Sequence, residues 1–286
     1  MRYGRFIVGC FGVLVLAVAI LSAALHFWLE PSHDHVWELG QERLPVLRLE
    51  GESLIVEQLR NFTWSTAEGH EEADRRYETR VYHLDKIQGV DVFVSHFSSF
   101  EGLAHIFLSF TFTDSEPLVL SVESRREVGE TFSPWQGMFA QYELMVVAGT
   151  ERDLIGLRAN VRRERLYRYP TVATPEISKK LLLGMMADIQ SIEGQPHFYH
   201  TLTNNCTNFI TKRVTAVANV KFPLTWKTIF PGYFETVLLK LGLVNRMDSA
   251  VWNKNMYRVK RTPTIDDPEF SRHLRDPAFQ KGLMPQ

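Results

Sequence analysis

One uncharged apolar stretch near the N-terminus constrains this chain more than any other feature. Residues 6–25 contain no charged side chain. At a rise of about 1.5 Å per residue, a helix of this length spans a hydrocarbon core of ~30 Å. Arg2 and Arg5 precede the stretch, and Glu30 and Asp34 follow it. Because positive charge is retained on the cytoplasmic side, this order predicts a cytoplasmic N-terminus and an exported body.

A cleaved signal peptide is the alternative interpretation of residues 1–29. Small residues suited to signal cleavage stand at positions 17, 19 and 22–24, but the apolar region of a signal peptide is usually only ~7–15 residues long. We therefore favour an uncleaved membrane anchor that contains Cys10. No later stretch of the sequence approaches the ~18 apolar residues that a second membrane helix needs, which predicts one soluble body after the anchor.

The composition excludes several classes of protein. Hydrophobic residues make up 45% of the 286 residues and the formal net charge is −1, so the chain is globular and lacks the basic surface that nucleic acid requires. Two cysteines are too few for a disulfide scaffold or a four-cysteine zinc site. The sequence shows no metal-ligand spacing, and we expect no metal, no cofactor and no nucleic-acid partner.

The first half of the body has the alternating pattern of β-strands. A turn at 114–117 joins two of them into an antiparallel hairpin, and a turn at 149–152 predicts a second such pair. The charge-rich residues 61–80 are typical of an exposed loop. The strongest strand predictions are 90–95, 105–112, 118–123, 144–148 and 154–158.

The pattern then changes to a helical period. Thr174 is a good N-cap and Pro175 suits the first helical position, so a helix begins there and ends near Gly194. Shorter helices are predicted at 209–217 and 233–243. The fold class is therefore α+β, with an antiparallel sheet followed by helices. The predicted regions are 1–29 (transmembrane anchor or signal segment), 30–60 (linker and first strand), 61–250 (the main domain) and 251–286 (a tail, extended or partly disordered).

The heptad Thr-Asn-Asn-Cys-Thr-Asn-Phe at 203–209 is the motif most suggestive of chemistry. Asn204 or Asn205 can cap the following helix, which places Cys206 in the first turn, where free amides and the helix dipole favour a thiolate. The same amides could stabilise an oxyanion. The alternative is a small buried hydrophobic residue. The polar neighbours of Cys206, and its being the one thiol of the exported body, favour the nucleophile.

A thiolate of this kind needs a base. His105 begins the first strand of the 105–112 hairpin, and a strand histidine that faces a helix starting with cysteine has the geometry of thiol catalysis. His200 is the alternative neighbour, because it precedes Cys206 by only six residues. A hydrogen-bonded structural role is the other interpretation of His105.

Glu123 is the candidate that orients this base. If the hairpin turns near 114–117, the outer ends of its strands bring Glu123 beside His105, where a carboxylate can fix the imidazole tautomer. A salt bridge from Glu123 to Arg125 or Arg126 is equally plausible. The arginine-rich residues 152–165 are interpreted as a solvated face, with lipid phosphates as the alternative contact.

Six blocks of sequence occur in a characteristic order. They are Ala104-His105-Ile106-Phe107-Leu108-Ser109-Phe110, Ser121-Val122-Glu123-Ser124-Arg125-Arg126-Glu127, Tyr142-Glu143-Leu144, Glu151-Arg152-Asp153, Leu157-Arg158, and Phe198-Tyr199-His200-Thr201-Leu202-Thr203-Asn204-Asn205-Cys206-Thr207. On these blocks, the run from about residue 62 to 214 resembles the N-terminal periplasmic domain of the bacterial lipoprotein N-acyltransferase Lnb family. The last block also resembles the Asn-Cys helix start of permuted papain-like (NlpC/LRAT-like) thiol enzymes.

The resemblance implies a papain-like thiol acyltransferase at the outer face of the bacterial inner membrane. Cys206 would take an acyl chain from a membrane lipid as a thioester, with His105 as base, and pass it to a protein or peptide amine. A thiol hydrolase of the cell envelope with the same residues, and a non-enzymatic envelope protein, are the competing functions. The substrate-binding or oxyanion residues expected from the resemblance are Asn204, Asn205, Ser109, Arg125 and Tyr199.

Overall fold

A long apolar helix begins the chain. The computed structural model describes residues 2–67, 70–245 and 254–283. Helix α1 (Arg2–Trp28) contains the segment Cys10–Trp28, whose mean hydropathy is 2.4 and of which only 6% is buried. Among the described residues it is the one helix long and apolar enough to cross a membrane, as a span or a signal sequence.

The body has an α+β arrangement in which most strands precede most helices. The strands are β1 (Val46–Glu50), β2 (Ser53–Arg60), β3 (Thr63–Ala67), β4 (His70–Asp74), β5 (Tyr77–His83), β6 (Ile87–His96), β7 (His105–Phe112), β8 (Leu118–Arg125), β9 (Glu143–Gly149) and β10 (Arg165–Pro170). The later helices are α2 (Glu151–Gly156), α3 (Pro175–Gly194), α4 (Cys206–Ala218), α5 (Trp226–Ile229), α6 (Phe234–Lys240), α7 (Phe270–Arg275) and α8 (Pro277–Gln280).

Within the described ranges, eight strands form one sheet in the order β1-β2-β9-β8-β7-β6-β10, with β5 also paired to β2. The predicted hairpin is confirmed as β7 and β8, with Phe107 opposite Ser121. The sheet is mixed where we predicted an antiparallel one, because β2 and β9 pair in parallel through Arg60 and Gly149. Strands β3 and β4 form a separate two-stranded hairpin.

Both faces of the large sheet are buried, which explains the apolar residues at successive strand positions. On one face, side chains such as Ile106 and Val122 pack with α3, α4 and α6. On the other face, Phe107 and Val119 pack with α2 and α7. The sheet therefore lies between two helical layers, and any residue at the end of a strand can be reached from both sides.

The prediction of a strand at 154–158 is wrong. This segment lies in α2 and the single π-helical turn that follows it. The Thr150 side chain caps α2 by accepting a hydrogen bond from the Asp153 amide at 3.2 Å. Asp153 is fully buried and binds Arg60 through two hydrogen bonds of 2.9 Å. A capped helix that buries this ion pair explains why apolar spacing alone misassigned the segment.

The prediction of an exposed loop at 61–80 is also wrong. The described residues of this stretch form β3, β4 and the start of β5. Trp64 on β3 is 3% exposed and its Nε1 donates to Asp153 at 2.7 Å. The charged residues occupy the outer surface of a hairpin that is anchored by this one buried aromatic side chain.

Where the structure describes it, the tail is folded, although we predicted an extended or partly disordered segment. Phe270, Leu274 and Phe279 on α7 and α8 are 3%, 2% and 1% exposed. Arg275 binds Glu151 in α2 at 2.6 Å. The tail's few apolar residues complete the second buried face of the sheet. The tail prediction for 251–253 and 284–286 lies outside the described residues.

The predicted helices after β10 are present. Thr174 caps α3, accepting from the Ile177 amide at 3.3 Å, as the sequence indicates. Helix α6 is shorter than the predicted 233–243, because the chain turns at Gly242, where φ is +67°. Helix α4 begins at Cys206, directly after Asn205, which is one of the two predicted caps.

Candidate active site

The first turn of α4 fixes the position of Cys206. The Asn205 side chain is the N-cap and accepts a hydrogen bond from the Asn208 amide at 3.0 Å. The side-chain nitrogen of Asn205 donates in turn to the Thr201 carbonyl. Asn205 is 5% exposed and Cys206 is 6% exposed. The amide of Cys206 stands in the first helical turn, where backbone N–H groups have no acceptor within the helix.

Asn204 has a different role from its neighbour. Its side-chain nitrogen donates to the Phe198 carbonyl at 2.8 Å, and its backbone bridges to His200. Of the two candidate caps, Asn205 therefore caps the helix and Asn204 closes the loop before it.

His105, Ser121 and Glu123 lie on the same face of β7 and β8. Continuing the register of the hairpin by two residues sets His105 opposite Glu123, and their Nε2 and Oε1 atoms are 3.3 Å apart. Ser121 Oγ donates to Glu123 Oε1 at 2.6 Å and lies 2.7 Å from His105 Nε2. Since this hydroxyl gives its proton to the carboxylate, it accepts from Nε2–H, which leaves Nδ1 of His105 for the thiol.

The start of β7 is where the thiol meets the imidazole. Cys206 packs with the core on one side of the sheet, whereas Phe107, whose ring centroid lies 5.8 Å from that of His105, packs with the core on the other. His105 is the first residue of its strand, so its ring lies at the end of the sheet, within reach of both layers. The structure thus brings together the three residues that the sequence nominated for catalysis.

The charges of this site favour an ionised pair. Burial alone would raise the pKa of Cys206, but the hydrogen bond and positive charge of His105 lower it below the usual range. Burial alone would lower the pKa of His105, but the charge of Glu123 and the contact with Cys206 raise it from 6.5 to about 9. The contact between the two side chains therefore favours the thiolate–imidazolium form of the pair over the neutral form.

Arg158 holds the carboxylate that supports this pair. Its Nη2 donates to Glu123 Oε1 at 2.6 Å, and its Nη1 donates to the Leu154 carbonyl at 2.9 Å. Burial would raise the pKa of Glu123, but the charges of His105 and Arg158 hold it well below the usual range. The sequence interpretation missed Arg158, because it lies in the arginine-rich run that was assigned to a solvated face. Its side chain is only 5% exposed. The apolar residues that surround it at 154–157 were the available signal.

A cavity of about 310 Å³ opens beside Cys206 and His105. This volume falls at the lower end of the range of about 300–1,000 Å³ that is common for ligand sites. Its lining includes the apolar side chains of Phe97, Leu103 and Phe132 together with several arginines. The apolar side chains suit an alkyl chain, and the arginines suit a polar or anionic group.

Arg126 is the cavity-lining arginine whose positive charge is least neutralised by a partner. Its Nε is buried and has no hydrogen-bond partner in the part of the chain that the structure describes. Arg60, Arg158 and Arg162, which also line the cavity, are paired with Asp153, Glu123 and Glu71, respectively. Arg126 is therefore the cation most available to a ligand.

Comparison with known proteins identifies the family. The model of the Lnb N-terminal periplasmic domain matches residues 73–232, more than half of the 286-residue chain. The chain belongs to this family. No curated protein and no solved structure matches it. The suggested relation to papain-like folds therefore stays a prediction, whereas a periplasmic domain preceded by one apolar helix is shown.

The Lnb-family region contains all the catalytic candidates and all five predicted binding residues, but three of these, Ser109, Arg125 and Asn204, do not line the cavity. Ser109 lies four residues after His105 on β7; it is fully buried, and its hydroxyl donates to the Glu151 carboxylate. The Arg125 guanidinium lies over the Trp37 ring at 3.9 Å and donates to backbone carbonyls. Neither side chain lines the cavity, because Ser109 belongs to an ion-pair cluster and Arg125 fixes the segment before β1.

Tyr199 and Asn205 are the predicted binding residues that do line the cavity. The Tyr199 ring is 8% exposed and packs against Phe132 at 6.2 Å. Burial raises the pKa of its hydroxyl, so the group stays neutral and can donate a hydrogen bond. His200, the alternative base, lies at the other side of this loop near α1.

Proposed function

We propose that the chain is a membrane-anchored periplasmic cysteine acyltransferase. The observation that carries this proposal is the Cys206–His105–Glu123 arrangement at the wall of a cavity that is lined by both apolar side chains and arginines. Thiol enzymes need a nucleophile with a lowered pKa, a base and a residue that orients the base. These side chains supply each of these parts.

In the first step the Cys206 thiolate attacks the carbonyl carbon of a lipid ester. The first-turn amide of Cys206 stabilises the oxyanion that forms. When the intermediate collapses, the ester C–O bond breaks and the imidazolium of His105 gives its proton to the leaving alkoxide. The products are a Cys206 thioester and a deacylated lipid.

In the second step an amine of the acceptor attacks the thioester carbonyl. His105, now neutral, takes the proton that the amine loses, and the thiolate of Cys206 leaves. The products are an amide and the restored thiolate–imidazolium pair. A lipoprotein N-terminus is the acceptor that the family name suggests. Water in place of the amine would make the same residues a thiol hydrolase.

The cavity supports a lipid ester as the donor. The apolar side chains that line it can hold the alkyl chain, and the Arg126 guanidinium can bind an anionic headgroup through a charge-assisted hydrogen bond. The N-terminal apolar helix keeps the domain beside its substrate if it is retained as an anchor.

The test is intact-mass analysis of the full chain after incubation with phosphatidylglycerol vesicles. We expect a mass gain of one acyl chain that is lost on treatment with neutral hydroxylamine, as thioesters are. Cys206→Ala should abolish the gain, and a later addition of a peptide with a free N-terminal amine should move the acyl chain to that peptide.

Two outcomes count against the proposal. An acyl gain that persists in Cys206→Ala places the chemistry elsewhere. Loss of the acyl chain as free fatty acid, with none on the peptide, assigns the hydrolase activity instead. His105→Ala in a folded state should prevent acylation, and a normal rate would remove this residue as the base.

A further inference from the structure

A small polar contact joins α1 to the body. Ser22 Oγ donates to the Met138 carbonyl at 2.5 Å and lies 3.3 Å from His200 Nε2. The ring centroids of His26 and His200 are 5.0 Å apart. Ser22 is 9% exposed, whereas Leu21 beside it is 52% exposed. One face of the C-terminal part of α1 therefore lies against the body.

The position of Ser22 along α1 sets the depth of this contact. The segment Cys10–Trp28 has 19 residues, and at ~1.5 Å per residue this is close to the ~30 Å of a hydrocarbon core. Ser22 then lies about 9 Å inside the outer end of the span. If residues 6–25 fill the core instead, Ser22 is still about 4.5 Å inside it. In either placement, the groups of Met138 and His200 that contact Ser22 lie about 4.5–9 Å below the outer boundary of the hydrocarbon.

The same loops form one edge of the Cys206 cavity. Leu202 lines the cavity and is two residues from His200, which limits their separation to about 7 Å along the chain. Thr201 Oγ1 donates to the Pro134 carbonyl at 2.6 Å, and both residues line the cavity. This edge of the cavity therefore lies close to the membrane depth at which Met138 and His200 contact α1.

Exposed apolar side chains continue from this edge around the cavity. Four of them line it, Phe100 packs edge-on against Phe230 with ring centroids 5.7 Å apart, and Trp226 begins the short helix that leads to Phe230. Their exposed fractions run from 36% to 54%. Clusters of exposed apolar residues commonly mark sites of interaction with a protein, a ligand or a membrane. The apolar rim consists of Phe97, Phe100, Leu202, Trp226, Ile229 and Phe230.

We propose that the apolar rim inserts into the outer leaflet of the membrane that α1 spans, so that the Cys206 cavity opens to the acyl-chain region of the bilayer. Continuity with α1 is what selects a bilayer as the occupant, since the helix contact already brings the edge of the cavity to the hydrocarbon boundary. Aromatic and large aliphatic side chains are typical of surfaces that sink ~5–10 Å into this boundary. The placement rests on α1 and the rim, and only the entry of a donor lipid through it rests on the proposed function.

The test is the accessibility of spin labels on the full chain in phosphatidylethanolamine–phosphatidylglycerol vesicles. Cys10→Ser and Cys206→Ala remove the native thiols, and Leu202→Cys or Ile229→Cys provides a rim label. Val81→Cys is the matched control, because Val81 is an apolar residue 48% exposed on β5. Two residues further on, His83 binds Asp114 in the β7–β8 turn, at the opposite end of β7 from His105.

We expect rim labels to be relaxed several-fold more by oxygen than by a water-soluble nickel complex, and the control label to show the reverse preference. Rim labels that behave like the control label would overturn the proposal. If the rim labels are immersed but the protein transfers no acyl chain, the membrane placement is supported and the proposed function is contradicted. If the rim labels are exposed to water and the protein is an active transferase, the proposed function is supported and the membrane placement is contradicted.

Discussion

Replacing Glu123 with glutamine removes one charge from the site and keeps its shape. Glutamine Oε1 can still accept the hydrogen bond that Ser121 donates to Glu123 at 2.6 Å. The lost charge is the largest contribution that opposes burial and raises the pKa of His105. We therefore expect Glu123→Gln to lower the fraction of His105 that is protonated and, as a consequence, the fraction of Cys206 that is ionised.

The raised pKa of His105 sets the size of the effect. A rise from 6.5 to about 9 corresponds to about 3 kcal/mol in favour of the imidazolium. Removing the Glu123 charge lowers the pKa of His105, which weakens the hydrogen bond and the positive charge that lower the pKa of Cys206. The same contact stabilises the folded protein fully below pH 6.5, and the contribution is lost as the pH rises through about 9.

Alkylation of Cys206 by iodoacetamide, followed by intact mass between pH 6 and 10, measures this population. Cys10→Ser leaves Cys206 as the single thiol. Glu164→Gln is the matched control, because Glu164 lines the same cavity but accepts from Ser95 at 2.6 Å. We expect slow alkylation of Glu123→Gln at pH 6.5 and convergence with the parent protein at high pH. An unchanged rate at pH 6.5 would refute the role given to this carboxylate.

Three further substitutions test the cap, the buried ion pair and the cavity. Asn205→Ala should cost ~1 kcal/mol through the lost helix cap and slow alkylation of Cys206 at neutral pH, whereas Asn205→Asp should keep the hydrogen bond from the Asn208 amide; an unchanged Tm of Asn205→Ala in calorimetry contradicts the cap. Asp153→Asn leaves Arg60 buried without its charge partner and should lower the unfolding free energy in urea by about 3–5 kcal/mol; a loss within experimental error would mean that the pair is dispensable. Arg126→Gln should raise KM several-fold for transfer from phosphatidylglycerol, with little change in kcat, and an unchanged KM would remove Arg126 from the binding site.

The sequence predicts those parts of the site that depend on neighbouring residues. The cap at Asn205 depends on the chain next to Cys206, and the meeting of His105 with Glu123 depends on a turn and a register. Both are local properties of one helix start and one hairpin. They could be read without any knowledge of the remaining fold.

The parts that the sequence missed depend on partners far along the chain. Asp153 binds Arg60, 93 residues away, and this pair decides that 151–156 is a helix. Ser109 has the right alternation to share the face of His105, yet Arg275 from the tail draws Glu151 to the same place, and Ser109 binds that carboxylate instead. Propensity and alternation carry no information on such distant partners.

The buried charges of the site form a row in which the sign alternates: Arg158, Glu123, His105 and Cys206. Each charge touches the next, and the row as a whole is neutral when the thiol is ionised. Burying a single charge is costly, whereas a neutral row of paired charges recovers most of that cost through its contacts. Arg158 is thus what allows Glu123 to stay ionised while it supports His105. The thiolate of Cys206 depends on a residue that it does not touch.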